Sequence, residues 1–154
     1  MTDWNADQAA TRMLSINDGY WTFALEGTSI GLWDWDVTTN RIVFSNGWTD
    51  LFGYTQGDVG DCFDEWCSLI HSDDRSKAQA AIQRLVQGES PMCATEYRMR
   101  CKDGSYKWIV ARGKIFSRTS DGKPLRVLGT HTDITERKRE EEERLKRETL
   151  LSLM

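Results

Sequence analysis

The sequence contains few of the residue types that mark metal sites and disulfide frameworks. Of its 154 residues, two are proline, two are histidine and four are cysteine. A structural zinc site needs about four closely spaced Cys or His ligands, and no Cys-x-x-Cys pair occurs, so no such site is indicated. The thiols are Cys62, Cys67, Cys93 and Cys101, and we expect them to remain reduced in a cytoplasmic protein.

Long hydrophobic runs and an excess of one charge are absent as well. No apolar run approaches the about 20 residues that a helix needs to cross a bilayer, and residues 1–12 lack the pattern of a secretory signal. The formal net charge is −4 and the basic residues form no single patch. We therefore expect neither a membrane span nor nucleic-acid binding.

A catalytic centre is not visible in the sequence either. No serine or cysteine has a histidine placed to activate it. The acidic pair Asp73-Asp74 precedes a predicted helix, where capping accounts for both side chains. We therefore expect a protein that is not an enzyme.

Aromatic residues are plentiful, and their spacing predicts a buried sheet face. Seven tryptophans occur. Trp33 and Trp35 alternate with Asp34 and Asp36, which is typical of a strand that is buried on one side. We expect the Trp face to point to the core. The Asp face should point to solvent or to an amphipathic helix that the apolar spacing predicts over residues 6–26.

The rest of the central region predicts three helices and then three strands. Ser45 or Asn46, then Asp64, then Asp74 are expected to cap the helices. The three strands are expected over residues 93–101, 106–116 and 125–134, joined by Asp-Gly turns. Since tight turns join antiparallel neighbours, the predicted fold class is α+β, with a five-stranded antiparallel sheet flanked by short helices.

The C-terminal segment is dominated by charge. Residues 136–148 hold six acidic and six basic residues, and pairs such as Glu140 with Arg144 predict a helix. One alternative is a single solvated helix. The other is a parallel coiled coil, for which Leu145 and the apolar cluster within residues 150–154 supply a broken seam. We expect pairing through this leucine-rich end.

No glycine or proline separates the last predicted strand from this helix. Asp133 or Thr135 can cap the first helical turn, and Ile134 can anchor in the core. Glu136 suits the positive end of the helix dipole. The sequence therefore predicts a stiff joint between sheet and helix.

Four strings occur in order along the chain: GLWDWDVTTNRIVFSNGWTDLFGY, LIHSDDR, EYRMRCKDGSYKWIVARG and GTHTDITERK. Together they resemble the PAS sensory domains over residues 23–140, including the C-terminal PAC-type motif that the family often carries. The resemblance implies a sheet and helices that enclose a central pocket. It implies sensing or dimerisation rather than catalysis, and it assigns signal relay to Asp133, Ile134, Thr135 and Glu136.

The same resemblance implies an effector beyond the helix, commonly a histidine kinase, a cyclic-dinucleotide enzyme or a further PAS unit. No signature of such an effector occurs in the sequence, so the chain is either a lone sensor or a piece of a longer, bacterial-type two-component or related signalling protein. The uncapped helical ending LLSLM leads us to expect a piece. The predicted division has three parts. Residues 1–27 form an N-terminal helical cap and dimerisation segment, residues 28–135 the PAS domain, and residues 136–154 the signalling helix.

Inward-facing side chains are the candidate lining of the pocket. By strand alternation, Val127, Gly129 and His131 share the pocket face. His131 can ligate haem iron, hydrogen-bond a flavin or small polar ligand, or bond a neighbouring side chain or a water in the core. The candidate ligand-binding residues are Trp33, Trp35, Phe44, Trp48, Phe52, Tyr97, Met99, Trp108 and His131.

The cofactor stays unknown from sequence. The string GDCFDEWC lacks the Asn-Cys-Arg-Phe-Leu-Gln pattern of the flavin-photoadduct branch, although Cys62 lies in it. Because so many large rings fill a small, close-packed interior, we expect no tightly bound cofactor. Non-covalent FAD and haem remain the alternatives.

The predicted function is a sensory module that forms a homodimer through its terminal helices. It would relay a signal through the C-terminal helix to an effector outside this chain. Two alternatives stay open, a redox or gas sensor that binds FAD or haem, and a pure dimerisation scaffold.

Overall fold

The structure is a computed structural model that describes residues 28–55 and 57–154. The helix predicted over residues 6–26, and with it the proposed N-terminal segment, lies outside the described residues.

The described chain begins with a two-stranded hairpin. Strand β1 spans Ile30–Asp36 and pairs antiparallel with β2, Arg41–Phe44. The turn between them contains Asn40 at φ 62°, a left-handed conformation that asparagine tolerates better than most residues.

Three helices follow: α1 over Asn46–Phe52, α2 over Phe63–Ser68 and α3 over Arg75–Val86. The Ser45 side chain accepts a hydrogen bond from the Trp48 backbone N–H, so the expected cap of α1 is confirmed. The predicted cap of α2 is wrong, because Asp64 lies inside the first turn of that helix. Asp74 is the N-cap residue of α3, as predicted, but it makes no side-chain cap bond and its carboxylate binds Arg98 instead.

Three long strands complete the sheet: β3 over Met92–Arg100, β4 over Tyr106–Arg118 and β5 over Pro124–Asp133. The strand order is β2-β1-β5-β4-β3, with every pairing antiparallel. Helix α4 follows over Thr135–Ser152. The predicted α+β class and the five-stranded antiparallel sheet are therefore confirmed.

One face of the sheet, called here the inner face, packs against α1, α2 and α3. It carries large apolar side chains, and burying them supplies the main driving force for folding. The nine-tenths-buried residues of this core include Trp33, Trp35, Ile42, Trp48, Phe52, Trp66, Ile70, Leu85, Tyr97, Met99, Ile109 and Val127.

The opposite face of the sheet, called here the outer face, carries the charged residues of the same strands. We expect Asp34 to point either to solvent or to the N-terminal helix. The first alternative is wrong, because the Asp34 side chain is only 2% exposed. Its carboxylate accepts two hydrogen bonds from the Arg126 guanidinium across the β1–β5 pair, and the Nε–Oδ1 distance is 2.8 Å. A buried carboxylate needs such a partner.

Candidate functional site

An apolar cavity of about 30 Å³ lies between the inner face of the sheet and helices α2 and α3. Its lining comes from β1, β2, β3, β4 and both helices. The lining residues are Trp33, Trp35, Ile42, Phe63, Trp66, Ala78, Ala81, Ile82, Leu85, Cys93, Thr95, Tyr97 and Ala111. The closed cavity holds about two water molecules, since each water needs roughly 10–15 Å³ of this kind of space.

Trp33 lies flat along the sheet because two glycines leave room for its indole. A Cβ at Gly129 would lie 2.2 Å from Trp33 Cζ2, and a Cβ at Gly113 would lie 2.7 Å from Trp33 Cη2. Both distances are far below van der Waals contact. The glycines of β4 and β5 therefore leave the space that the Trp33 ring occupies.

His131 lies at the centre of this aromatic region and is fully buried. Its Nδ1 accepts a hydrogen bond from the Trp48 indole N–H at 2.7 Å, and its Nε2 lies 3.2 Å from the Tyr97 hydroxyl oxygen. An indole N–H can only donate, so Nδ1 carries no proton. In the neutral ring the proton is then on Nε2, and Nε2–H donates to Tyr97.

Burial sets the titration of both members of this pair. Desolvation lowers the pKa of His131 from 6.5 to about 3, so the ring is neutral at physiological pH. Desolvation also raises the pKa of the Tyr97 phenol well above its usual value of 10.0. The centre of the protein is therefore uncharged over the whole physiological range.

This arrangement does not fit a haem. An axial histidine needs a free ring nitrogen, and both nitrogens of His131 are engaged by Trp48 and Tyr97. The three-ring system of a flavin is also far larger than the cavity of about 30 Å³, which has room for about two water molecules. Either group would require the Trp33 ring to move away from Gly113 and Gly129.

The other predicted lining residues divide into two groups. Trp33, Trp35 and Tyr97 line the cavity. The remaining inward residues pack around it: Phe44 stacks on Trp48 with ring centroids 3.8 Å apart, while Phe52 and Met99 are buried in the same core. Sequence reasoning missed Trp66 in α2, whose ring is stacked 5.9 Å from His131. Its position on a short helix beside Phe63 is the signal that could have found it.

Trp108 is the one predicted lining residue on the wrong side. Its neighbour Ile109 is fully buried, whereas the Trp108 ring lies beneath the Arg98 guanidinium at 5.1 Å and the Lys138 ammonium at 4.8 Å. Lys138 belongs to α4, so the ring is on the outer face. Trp108 is therefore part of the contact between sheet and helix and not part of the cavity.

The Trp108 ring connects α3 with α4 through charged partners. Asp74, at the start of α3, accepts hydrogen bonds from the backbone N–H of Arg98 and from two guanidinium nitrogens, all at 2.8–2.9 Å. This bond lowers the pKa of Asp74 to about 2. Arg98 in turn lies over Trp108, and so does Lys138. We call the four residues Asp74, Arg98, Trp108 and Lys138 the outer chain.

The joint after β5 is hydrogen-bonded on both sides. Asp133 Oδ1 accepts from the Thr135 backbone N–H at 2.9 Å and from its hydroxyl at 2.6 Å. The Thr135 oxygen accepts from the Trp108 backbone N–H at 3.1 Å, and the Ile134 N–H donates to the Trp108 carbonyl at 2.8 Å. Ile134 itself is only 7% exposed. Ile134 and Thr135, at the start of α4, are thus hydrogen-bonded to the backbone of β4.

Beyond this joint the helix is largely exposed. Glu96 on β3 holds its first turns through Arg137 and Lys138, both at 3.0 Å, and the bond to Lys138 lowers the Glu96 pKa. Glu136 pairs with Arg139 on its own helix and with no other residue in 28–55 and 57–154. Further along, the exposed apolar residues are Leu145, Leu150, Leu151, Leu153 and Met154.

In residues 28–55 and 57–154, no helix combines the length and apolar character needed to cross a membrane. In the same part of the chain, no group of three or more His, Cys, Asp or Glu side chains could hold a metal ion.

Comparison with known proteins places this fold among signalling proteins. The chain is 40% identical over 72 residues to hybrid signal transduction histidine kinase A of Dictyostelium discoideum, a match that covers 46% of this chain and 3% of the relative. It is 26% identical over 115 residues to the probable diguanylate cyclase DgcE of Escherichia coli (strain K12), covering 75% and 10%. The chain therefore spans only a small part of either relative.

A solved structure of similar size matches most of the chain. The crystal structure of a sensory box histidine kinase/response regulator from Burkholderia thailandensis E264 superposes with a TM-score of 0.71 at 33% identity. The match covers 86% of this chain and 98% of that one. The family model described as the PAS fold matches residues 41–131, from the start of β2 to His131. The chain belongs to the PAS family.

Proposed function

We propose that the chain is a non-catalytic sensory module of a larger signalling protein. Its interior would respond to a stimulus, and α4 would carry the response to an effector outside the chain, either a histidine kinase or a cyclic-dinucleotide enzyme. The observation that carries this proposal is the joint, where Thr135 hydrogen-bonds both Asp133 and the Trp108 backbone. A helix tied to β4 in this way must move when the sheet moves.

The outer chain supports a route from the cavity to this joint. Ala78, Ala81 and Leu85 of α3 form part of the cavity wall, and Asp74 stands directly before that helix. A shift of α3 would displace Asp74, and with it Arg98, whose guanidinium lies over Trp108. Charge-assisted bidentate bonds are stronger than neutral ones, so they transmit displacement well. The same ring contacts Lys138 of α4.

We further propose a homodimer that pairs through the terminal helices. Five apolar side chains at the end of α4 are more than half exposed, and an isolated helix with such a surface is marginally stable in water. A parallel coiled coil would bury them. The proposed division keeps residues 1–27 as a dimerisation segment, residues 28–135 as the PAS domain and residues 136–154 as the signalling helix. We propose the cytoplasm as location, where the four thiols stay reduced.

The relay is tested by fusing the chain, in helical register, to the catalytic core of a histidine kinase. Thr135→Val keeps the shape of the side chain but removes the hydroxyl that joins Asp133 and Trp108. We expect it to change autophosphorylation by about two- to thirtyfold, the range of typical coupling energies. Thr149→Val is the matched control, because the Thr149 hydroxyl bonds only the Leu145 carbonyl of its own helix.

Equal activity of both fusion variants and the parent would contradict the relay and favour the scaffold alternative. Dimerisation is tested separately by sedimentation equilibrium of the chain itself. We expect a dimer that dissociates in a Leu150→Gln, Leu151→Gln double variant and persists in Glu143→Gln. A parent chain that stays monomeric at high concentration would contradict the proposed pairing.

A further inference from the structure

Three hydrogen-bond donors in the cavity wall have no acceptor within the described residues. The indole N–H groups of Trp33 and Trp66 are buried and unpartnered. The third is the Tyr97 hydroxyl proton, since the Tyr97 oxygen accepts from His131 and makes no other bond. A buried donor without a partner costs about 1–3 kcal/mol, so three of them around one cavity point to something that accepts.

The rings that carry these donors lie in one region of the interior. The ring centroids of Trp33, Trp66 and Tyr97 lie 6.0, 5.9 and 6.2 Å from that of His131. All three side chains line the cavity and are at least nine-tenths buried. The arrangement therefore forms a built site, with donors fixed by the packing of large rings.

The wall also excludes charged molecules. Among the described residues, no Asp, Glu, Lys or Arg side chain lines the cavity, and neutral His131 lies behind it. An ion would lose its hydration without gaining a counter-ion, which is costly. The polar groups of the lining apart from the three donors are the Thr95 hydroxyl and the Cys93 thiol. The wall therefore offers more donors than acceptors, and a ligand that binds the unpartnered donors must bring the acceptor.

We propose that the cavity binds a compact, uncharged carbonyl compound. Its oxygen has two lone pairs, which accept from the indole N–H groups of Trp33 and Trp66, while its apolar body packs against Ala78, Ala81 and Leu85. This inference deepens the proposed sensory function, on which it rests, by naming the chemical class of the stimulus. Binding itself is tested without any output from α4.

Entry requires the α3 wall to move. The closed cavity of about 30 Å³ is smaller than a molecule of six heavy atoms, so such a ligand displaces water and pushes α3 away from β3. β3 is an edge strand of the sheet, and the wall on the α3 side includes the small residues Ala78 and Ala81. The seam between α3 and β3 is therefore the place where the site opens.

The test uses the indole N–H signals of the ¹⁵N-labelled chain in solution NMR. Cyclopentanone is the probe, methylenecyclopentane is a control of the same shape without an acceptor, and cyclopentanecarboxylate is a charged control. We expect cyclopentanone to shift the Trp33 and Trp66 indole signals downfield in a saturable way. Neither control should do so.

Two variants and a matched control assign the effect to the donors. Trp33→Phe and Trp66→Phe each remove one unpartnered N–H, and each should weaken cyclopentanone binding about three- to tenfold. Trp108→Phe is the control, because the Trp108 ring lies on the outer face beneath Arg98 and Lys138 and does not line the cavity. It should leave the affinity unchanged.

Equal binding of methylenecyclopentane would overturn the proposal, because shape alone would then select the ligand. Binding of none of the three probes would also overturn it and leave two buried waters as the acceptors. Neither result would touch the kinase-fusion experiment, so failure of the ligand class and failure of the relay are distinguishable.

Discussion

Neighbouring residues of the same strand serve different parts of this molecule. On β3, Tyr97 lines the uncharged cavity, while Glu96 and Arg98 hold the output helix and α3 on the other side. On β4, Ile109 is in the core and Trp108 contacts Lys138. The inner face is apolar with neutral hydrogen bonds, and the outer face uses charge. One residue along a strand separates the lining of the cavity from the contact with α4, because side chains alternate between faces.

The inner face should be the more sensitive of the two to added volume. Gly129→Ala places a Cβ 2.2 Å from the Trp33 ring and against the Arg112 backbone carbonyl. We expect a loss of about 3 kcal/mol in the free energy of unfolding, measured in urea. Gly47→Ala is the control, because its nearest neighbour lies at 3.4 Å and alanine favours a helix. Equal stability of the two variants would mean that Trp33 does not rest on the glycines.

The stability that the outer chain contributes should depend on Asp74 and not on the adjacent Asp73. Asp74→Asn weakens the bonds to Arg98, and we expect a loss of about 2 kcal/mol in the free energy of unfolding. Asp73→Asn should cost below about 0.5 kcal/mol, since the Asp73 side chain is 75% exposed and 4.0 Å from Arg98. Similar losses in both variants would contradict the assignment of Arg98 to Asp74.

As the pH falls, the protein should lose stability first through His131 on the inner face. The outer carboxylates should be affected only at lower pH. The pKa of His131 is lowered in the folded state to about 3, so the unfolded chain binds more protons below about pH 6.5. Stability is then complete above that pH and falls with acidification by about 1.4 kcal/mol per pH unit between about pH 6 and 4.5.

Chemical denaturation across that range measures this slope. His131→Gln should remove the slope, whereas His71→Gln, which leaves the buried ring in place, should keep it. A His131→Gln variant with the parental slope would show that another group titrates.

The smallest expected effect concerns the ion pairs of α4 and their dependence on salt. The pairs that hold its first turns to the sheet should contribute more to stability than the pairs at its exposed end. Glu96→Gln loses the pairs with Arg137 and Lys138, and we expect about 0.5–1 kcal/mol at low ionic strength, decreasing with salt. Glu142→Gln loses only the exposed pair with Lys146 and should cost at most about 0.5 kcal/mol. If the two losses were equal, Glu96 would not fasten the helix to the sheet.

Much of the inner face could be predicted from sequence because alternation has a strict period of two. Alternation around Trp33 and Trp35 predicted the first hairpin, the Asp-Gly turns predicted the antiparallel pairing of the last three strands, and alternation along β5 placed His131 inward. The pairing of β1 with β5 was not predicted, because no local pattern joins strands so far apart in sequence. The phase of β4 was the exception, since Trp108 and Ile109 are both apolar and either could face inward. The larger ring was expected inside, but the narrow interior takes the smaller side chain, and Trp108 contacts α4.

The outer face was less predictable because its contacts join residues far apart in sequence. Asp34 pairs with Arg126 and Asp74 with Arg98, and no local pattern announces either partner. A helix-start aspartate is ordinarily read as a cap, so Asp74 was assigned the commoner role. Local sequence patterns indicate what a residue does within its own helix or strand. The outer carboxylates Asp34 and Asp74 instead bind residues of another element.

The coupling of the two faces is tested most directly by hydrogen exchange in the first turn of α4. With cyclopentanone bound, as reported by the Trp33 and Trp66 indole signals, we expect exchange of the Lys138 amide to change in the parent chain and to stay constant in Trp108→Leu. Unchanged exchange in the parent despite occupied cavities, or the same change in Trp108→Leu, would contradict transmission through the outer chain.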